Sequence, residues 1–518
     1  MKKNKTKQDL EMGFPALGRK GLMVIAMIAC FAFASAPGWS VQTERKVSDQ
    51  QINNMVMKTI LTDSALPNNQ IDASTVQGIV TLSGTVENLM VRDRAGLLTQ
   101  TLRGVRGVVN TITLQVISVP DDELAKNVRA ALYYDAATDS YELKPEAKGG
   151  VVTLSGTVQS YHEKNLAVYV AREVRGVKEV KDAIIVRSKS NRPDSEIDAE
   201  VKRIIAIDIW LDGNTILTEV KNGIVTLTGA VGSYAQHGRA VLRAWTAGVK
   251  SVNADDLKVE PWARKEGQRR EMGVIKSDPD IKNAVLDAFI HDPRVLSFNP
   301  TISVDQGMVT LSGTVDNLRA KRAAEQDAKN TVGVWRTRNL LTVRPVTRLE
   351  DAEISRIVKD AFLRDSIVDG DKIAVRSRLG VVTLTGAVDS QFERARADNL
   401  ASRANGVVDV RNNLSVEYPR SIYYNTGHDP YWSHSSFFAD NPMYYTKWVH
   451  LSDVALKQDI ENELFWCPFV DRDQITVRAE SGIATLTGTV YSWFESEMAT
   501  EKALVGGARQ VNNKLEVK

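Results

Sequence analysis

Gly150-Val151-Val152-Thr153-Leu154-Ser155-Gly156-Thr157-Val158 is one of six stretches that share the pattern Gly-φ-Val-Thr-Leu-Ser/Thr-Gly-x-Val, with φ apolar. The others begin at Gly78, Gly223, Gly307, Gly380 and Gly482, and the only departure is Ala484, where the other copies have Val. Self-similarity at this regularity decides the architecture before any local propensity does. In such a stretch Val80 and Leu82 point to one face and Ile79, Thr81 and Ser83 to the other, so it reads as a strand with one face against a core.

Working upstream, each glycine is preceded by an apolar triplet at i, i+4, i+8: Ile52/Val56/Ile60, Leu124/Val128/Leu132, Ile197/Val201/Ile205, Ile281/Val285/Phe289, Ile354/Val358/Phe362 and Leu456/Ile460/Leu464. Every triplet starts 26 residues before its glycine, as Ile52 does before Gly78. The spacing predicts an amphipathic helix, and acidic residues at its start (Asp121-Asp122-Glu123, Asp194-Ser195-Glu196) suit a helix N-terminus. Between helix and glycine an alternating run such as Ile373-Ala374-Val375 predicts a strand, and pairs such as Gln77-Gly78, Asn222-Gly223 and Gln306-Gly307 predict a hairpin turn.

Downstream, Asn88, Ser160, Ser233, Asn317, Ser390 and Ser492 stand four residues after the second glycine of each motif, as N-caps of a second helix. Glu163, Gln236, Glu393 and Glu495 follow three positions later, which predicts capping boxes in four copies. Alanine recurs seven residues past each cap (Ala95, Ala167, Ala240, Ala324, Ala397, Ala499), so this helix lies close on the sheet. A Gly-Val pair (Gly-Ala in the last copy) ends it, and a third strand such as Val410-x-Asn412-x-Leu414-x-Val416 follows.

The predicted fold class is α+β: six tandem αββαβ modules, each a three-stranded mixed sheet with two helices on one face. The modules span residues 48–118, 121–187, 194–260, 277–344, 349–416 and 452–518. Residues 1–36 form a signal or anchor segment, 261–276 a basic linker and 417–451 an aromatic insert. Modules this small are near the limit of independent burial, so neighbours are expected to dock or share short linkers. A rod, an arc or a compact pair of three-module halves all fit the sequence.

The Gly-φ-Val-Thr-Leu-Ser/Thr-Gly-x-Val strand, the later Gly-Val-x-x-Val-x-Asn element and the αββαβ order together resemble the BON domain, as found in multi-BON, osmotically inducible periplasmic proteins. Asp182, Ala254 and Thr337 depart from the second element, at positions that touch packing and not chemistry. The resemblance implies a binding module without a catalytic site, in the periplasm of a diderm bacterium, acting in envelope maintenance or osmotic stress and, in some members, on phospholipid. It assigns no lipid-contact residue to this chain.

Composition is that of a soluble globular protein, with 43% apolar and 25% charged residues. The formal charge of +2 comes from 66 basic and 64 acidic residues, of which residues 1–36 hold 6 and 2, so the remainder, 60 against 62, has a net of −2. That balance gives no electrostatic reason to expect nucleic acid as a partner. The basic start and the apolar run Gly21 to Ala36 read as an export signal too short for an ordinary membrane span, with Ala32-Phe33-Ala34 as a cleavage site. Lipidation at Cys30, within the loose lipobox Met27-Ile28-Ala29-Cys30, and retention as an uncleaved anchor are the alternatives. The protein is expected to be periplasmic, in soluble or membrane-anchored form.

No catalytic constellation emerges. The recurrent Ser/Thr-Gly lacks a nucleophile elbow, none of the six histidines repeats in register, and Cys467 has no assignable base. No cofactor and no metal are assigned, because His428, His434, His450 and Asp429 have suitable ligand types but irregular spacing. Three places offer lipid or partner contact. The insert contains Tyr431, Trp432 and Trp448, whose rings join apolar bodies to polar tips. The last copy groups Tyr491, Trp493 and Phe494 around the cap Ser492. The linker carries Arg264, Lys265, Arg269 and Arg270, suited to anionic headgroups. Each has a plainer reading: a lid on neighbouring modules, burial between modules, and a solvated linker. The expected partners are anionic phospholipid or envelope proteins. The favoured reading is a lipid-associating envelope protein, with a protein-binding scaffold or chaperone-like array as the alternative; an enzyme would need a convergent polar pocket that the repeats do not foreshadow.

Overall fold

The computed structural model describes residues 47–63, 65–66, 70–139, 141–187, 192–211, 215–264, 276–295, 298, 300–416 and 452–517. Module 1 comprises helix α1 (Asp49–Thr62), strands Ile71–Val76 and Ile79–Val86, helix α2 (Leu89–Gln100) and a third strand in two pieces, Gly107–Asn110 and Thr113–Leu114. Module 2 repeats it with α3 (Asp121–Tyr134), Glu142–Lys148, Val151–Val158, α4 (Tyr161–Arg172) and Glu179–Val186. Module 3 has α5 (Asp194–Ile207), Ile216–Lys221, Ile224–Val231, α6 (Tyr234–Arg243) and Ser251–Val259. Module 4 has α7 (Asp278–Ile290), Thr301–Asp305, a second strand in the pieces Met308–Ser312 and Thr314–Val315, α8 (Leu318–Lys329), and the pieces Arg336–Asn339 and Thr342–Val343. Modules 5 and 6 contain α9 (Asp351–Arg364), Ile373–Arg378, Val381–Val388, α10 (Gln391–Arg403) and Asp409–Val416, then α11 (Asp453–Trp466), Ile475–Glu480, Ile483–Val490, α12 (Trp493–Val505) and Gln510–Val517.

In every module the second strand lies between the other two, antiparallel to the first and parallel to the third, so the sheet is mixed as the sequence predicts. No described sheet joins strands of two modules. The helices cover one face. The triplet of α1 is buried together with Val80, Leu82 and Ala95, and the same positions recur in the cores of the other modules.

Local side chains fix each module. In five of them the aspartate at the start of the first helix grips the hairpin turn: Asp49 accepts from the Gln77 and Gly78 amides at 2.7 and 2.8 Å, and Asp121, Asp194, Asp278 and Asp351 do the same in modules 2 to 5. These bonds satisfy two amides and lock helix to hairpin. All six predicted N-caps accept from the amide three residues on. The reciprocal arm differs from a simple capping box. Glu163, Glu393 and Glu495 reach the amide of the residue before the cap, and in modules 5 and 6 their other oxygen holds the Asp369 and Asp471 amides of the loop after the first helix. Gln236 donates instead to the Trp210 carbonyl.

The asparagine of the third strand has a defined task. Asn110, Asn339, Asn412 and Asn513 each donate from Nδ2 to a carbonyl of the second helix, and their Oδ1 accepts the amide two residues on. Asp182 cannot donate, and Lys164 compensates by bridging Asp182 at 2.8 Å and the Ile184 carbonyl.

The modules then pair from the two ends of the chain. The Ala136 amide of module 2 donates to Arg403 O of module 5, and Asn405 returns a bond to Tyr134 O. Arg175 and Ser366 make the converse exchange with Arg364 O and Glu173 O, so the contact between modules 2 and 5 is reciprocal, as between two-fold-related subunits. Module 3 meets module 4 through Ile209 to Asn330 O and Val332 to Ile207 O. Module 1 meets module 6 through the Arg103 amide to Trp466 O and the Lys58–Glu463 ion pair at 2.8 Å. Contacts beyond these pairs join module 3 to module 6 through Trp210 and Phe494, module 2 to module 4 through Asp135 and Arg319, and module 1 to module 5 through Asn88 and Ser366.

Candidate functional site

The largest concentration of buried charge lies where the first helices end. Eleven residues past the start of each triplet is Asp63, Asp135, Asp208, Asp292 or Asp365, with Cys467 in the last module. A carboxylate so deeply placed needs a cation and hydrogen bonds. Modules 1, 3 and 5 supply the cation themselves, six residues past the second helix cap: Arg94 is bidentate on Asp63 at 2.7 and 2.8 Å, Arg239 binds Asp208 at 2.7 Å, and Arg396 binds Asp365 at 2.6 Å. Modules 2, 4 and 6 have Leu166, Ala323 and Met498 at that place.

Across the seam between modules 2 and 5, Arg403 binds Asp135 at 2.8 Å and Glu173 at 2.7 Å, Arg396 binds Glu173 at 2.6 Å, and Arg319 of module 4 pairs with Asp135. All five residues are buried. Burial alone pushes the Glu173 carboxyl up, but Arg396 and Arg403 outweigh it and bring it down to about 2. A cavity of about 50 Å³ between these modules is lined by Tyr134, Glu173, Ile357, Arg364 and Arg403 among others.

A second polar cluster joins modules 2, 3 and 4: His162, Arg239, Arg243, His291, Asp292, Arg294 and Asp327 line a cavity of about 20 Å³. Arg294 holds Asp292 at 2.5 Å. Burial, then the neighbouring His291 and Arg243, brings His162 down to about 3, while burial and Arg243 bring His291 down to about 4. Burial and then Asp292 push Asp327 well above the usual carboxylate range, while Arg294 outweighs burial and holds Asp292 below it. Both cavities are an order of magnitude below the roughly 300–1,000 Å³ of small-molecule sites and have room only for water. No group of three or more His, Cys, Asp or Glu suited to a metal occurs among the described residues.

These polar clusters were not foreshadowed by reading the repeats as aliphatic interiors. Their signal was present: the aspartate recurs in five copies and the arginine in alternate copies. Nothing local says which copy's arginine meets which aspartate.

Of the aromatic candidates in module 6, Phe494 packs on Trp210 of module 3 at 4.4 Å between ring centroids and on Phe469 at 6.0 Å. Trp493 meets Trp335 of module 4 edge-on at 6.2 Å. The Tyr491 side chain is half-buried. Phe494 and Trp493 thus take part in inter-module contacts, and all three rings retain some exposure. Arg264 ends a short 3-10 turn, Pro261–Arg264. Lys265, Arg269, Arg270, Tyr431, Trp432, Trp448 and Cys30 lie outside the described residues. Cys467 is buried. Among the described residues no helix is long and apolar enough to cross a membrane.

Comparison with known proteins agrees with this architecture. Over 171 residues the chain is 28% identical to Osmotically-inducible protein Y of Escherichia coli, covering 32% of this chain and 85% of that protein. Over 144 residues it is 27% identical to Outer membrane lipoprotein DolP of Haemophilus influenzae, covering 27% of this chain and 74% of that one. Among solved structures, CdsD, a structural protein of the type III secretion system of Chlamydia trachomatis, aligns over 44% of this chain and 98% of its own at 15% identity, with a TM-score of 0.12. The BON domain profile matches residues 48–116, 120–188, 193–261, 277–345, 350–418 and 452–518, and the chain belongs to the BON domain family.

Proposed function

We propose that this protein is a non-catalytic binding protein of the bacterial cell envelope, exported to the periplasm, that associates with anionic phospholipid or other envelope components in envelope maintenance or osmotic stress. The observation that carries this reading is the engagement of the buried arginines and carboxylates in holding modules to one another around cavities of about 50 and 20 Å³. Recognition then falls to the outward surfaces of the modules. The export pattern of residues 1–36 and the printed names of the two relatives, one osmotically inducible and one an outer-membrane lipoprotein, support the same location.

Flotation with vesicles containing an anionic phospholipid tests it: the protein is expected to rise with them and to be released by salt. Retention in the dense fraction at both low and high salt would refute phospholipid association. Fractionation of the producing cell with sequencing of the mature N-terminus distinguishes cleavage, lipidation at Cys30 and anchoring. The scaffold reading draws on a different feature, the first and third strands of the modules, which are sheet edges among the described residues. It predicts envelope proteins that co-purify with a chain lacking vesicle affinity.

A further inference from the structure

The six hairpin turns are built alike, with the residue before the motif glycine in the left-handed region: Gln77, Gly149, Asn222, Gln306, Leu379 and Ser481, at φ between 49° and 60°. Polar residues and glycine occupy five of these positions. Module 5 has a leucine, which is 72% exposed. A γ-branched apolar side chain gains nothing from a left-handed turn in water, and a strained residue of this kind points to a use.

The surroundings of this turn differ as well. In modules 2, 3, 4 and 6 a long side chain just before the third strand donates to the carbonyl of the left-handed residue: Lys178, Lys250, Trp335 and Arg509. Module 5 has Val408 there, packed on Gly380, so its tip is apolar. Behind the tip the outward face of the sheet is basic. Arg376 and Arg378 on the first strand and Arg411 on the third are exposed, with Thr383 between Arg376 and Arg411 in register. None forms an ion pair with a described carboxylate. Of the acidic neighbours, Asp409 stands opposite Val381, while Asp351 is held by the Leu379 and Gly380 amides and the Ser377 hydroxyl. The outward faces of modules 2 and 3 carry balanced charges instead, Glu142, Lys144, Glu146 and Lys148 in one and Glu219, Lys221, Asp256 and Lys258 in the other, the latter paired at 2.6 and 3.3 Å.

We propose that Leu379 at this hairpin tip, with Arg376, Arg378 and Arg411 behind it, is the surface through which the protein meets an anionic phospholipid bilayer. The leucine enters the boundary between headgroups and acyl chains, and the arginines face the phosphates. The assignment rests on the phospholipid reading above and gives it residues.

Flotation of the full chain on vesicles of phosphatidylglycerol mixed with phosphatidylcholine, against phosphatidylcholine alone, tests it; the basic residues 1–36 contribute equally to wild type and variants, so the reading is the loss of excess that each variant causes. Leu379→Gly places glycine where φ is positive, so its melting temperature is expected to be unchanged or higher. Its excess binding to anionic over neutral vesicles is expected to fall at least threefold. The triple variant R376Q/R378Q/R411Q is expected to lower that excess further than Leu379→Gly does. An excess undiminished in either variant overturns the assignment and leaves phospholipid association standing, whereas a wild-type chain with no excess removes both.

Discussion

Modules 1, 3 and 5 and modules 2, 4 and 6 share a fold but handle the same buried aspartate differently. The odd modules pair it with an arginine of their own second helix, Arg94, Arg239 or Arg396. The even modules do not repeat one solution: module 2 takes Arg403 and Arg319 from modules 5 and 4, module 4 uses Arg294 from its own loop, and module 6 replaces the charge with Cys467. The odd modules thus each close their own aspartate, while the even modules answer the position in three different ways, and only module 2 draws its cations from other modules. A buried carboxylate left without its cation is strongly destabilising, so module 2 depends on modules 4 and 5.

The contrast is sharpest at Arg396, which serves Asp365 of its own module and Glu173 of module 2. Arg396→Met is expected to destabilise the protein by about 3–5 kcal/mol in urea unfolding, because two buried carboxylates lose a partner. Arg94→Met breaks a pair within one module and is expected to have a smaller effect; an equal loss would show that the bond from Arg396 to Glu173 of module 2 adds nothing.

Acid should separate the seams. His162 and His291 are held neutral, with folded values of about 3 and 4 against an ordinary 6.5. The unfolded chain therefore binds protons first as pH drops below 6.5, and stability falls by roughly 1.4 kcal/mol per pH unit for each histidine until its folded value is reached. Glu173, with a folded value of about 2 against an ordinary 4.5, adds its loss only below pH 4.5. Thermal unfolding between pH 7 and 4 is expected to show the histidine slope, and His162→Gln to flatten it. An unchanged slope in that variant would dissociate the central cluster from acid sensitivity.

Smaller effects probe the aromatic contact and the local frame. Phe494→Ala removes the ring that joins module 6 to Trp210 of module 3 and is expected to cost about 2 kcal/mol, since the ring is only half-buried. Ser390→Ala removes the cap that accepts the Glu393 amide at 3.0 Å, with an expected loss of about 1 kcal/mol. Both are read by chemical denaturation.

The elements most legible in sequence are those whose partners lie within one module. The triplet of α1, the turn glycines and the six caps operate over fewer than about thirty residues, and each repeats often enough to be separated from chance. The first-helix aspartates, taken from sequence as favourable charge at a helix start, prove also to clamp the hairpin turn. The capping carboxylates were legible as caps, but their second oxygen goes to loops whose path no spacing reveals. Phe494 and Trp493 were legible as an unusual cluster, and their partners Trp210 and Trp335 came from modules hundreds of residues away in the chain. Leu379 departs from the polar-Gly turn pattern in the sequence, but only the structure gives its positive φ and its exposure.

Sequence alone determined the module, its number and its αββαβ order, because hydrophobic period, glycine placement and capping are short-range constraints that each copy must satisfy separately. Only the tertiary structure decided that module 1 meets 6, 2 meets 5 and 3 meets 4. That choice depends on matching a cation in one copy to a carboxylate in another, and near-identical repeats carry the same local pattern whichever copy they face.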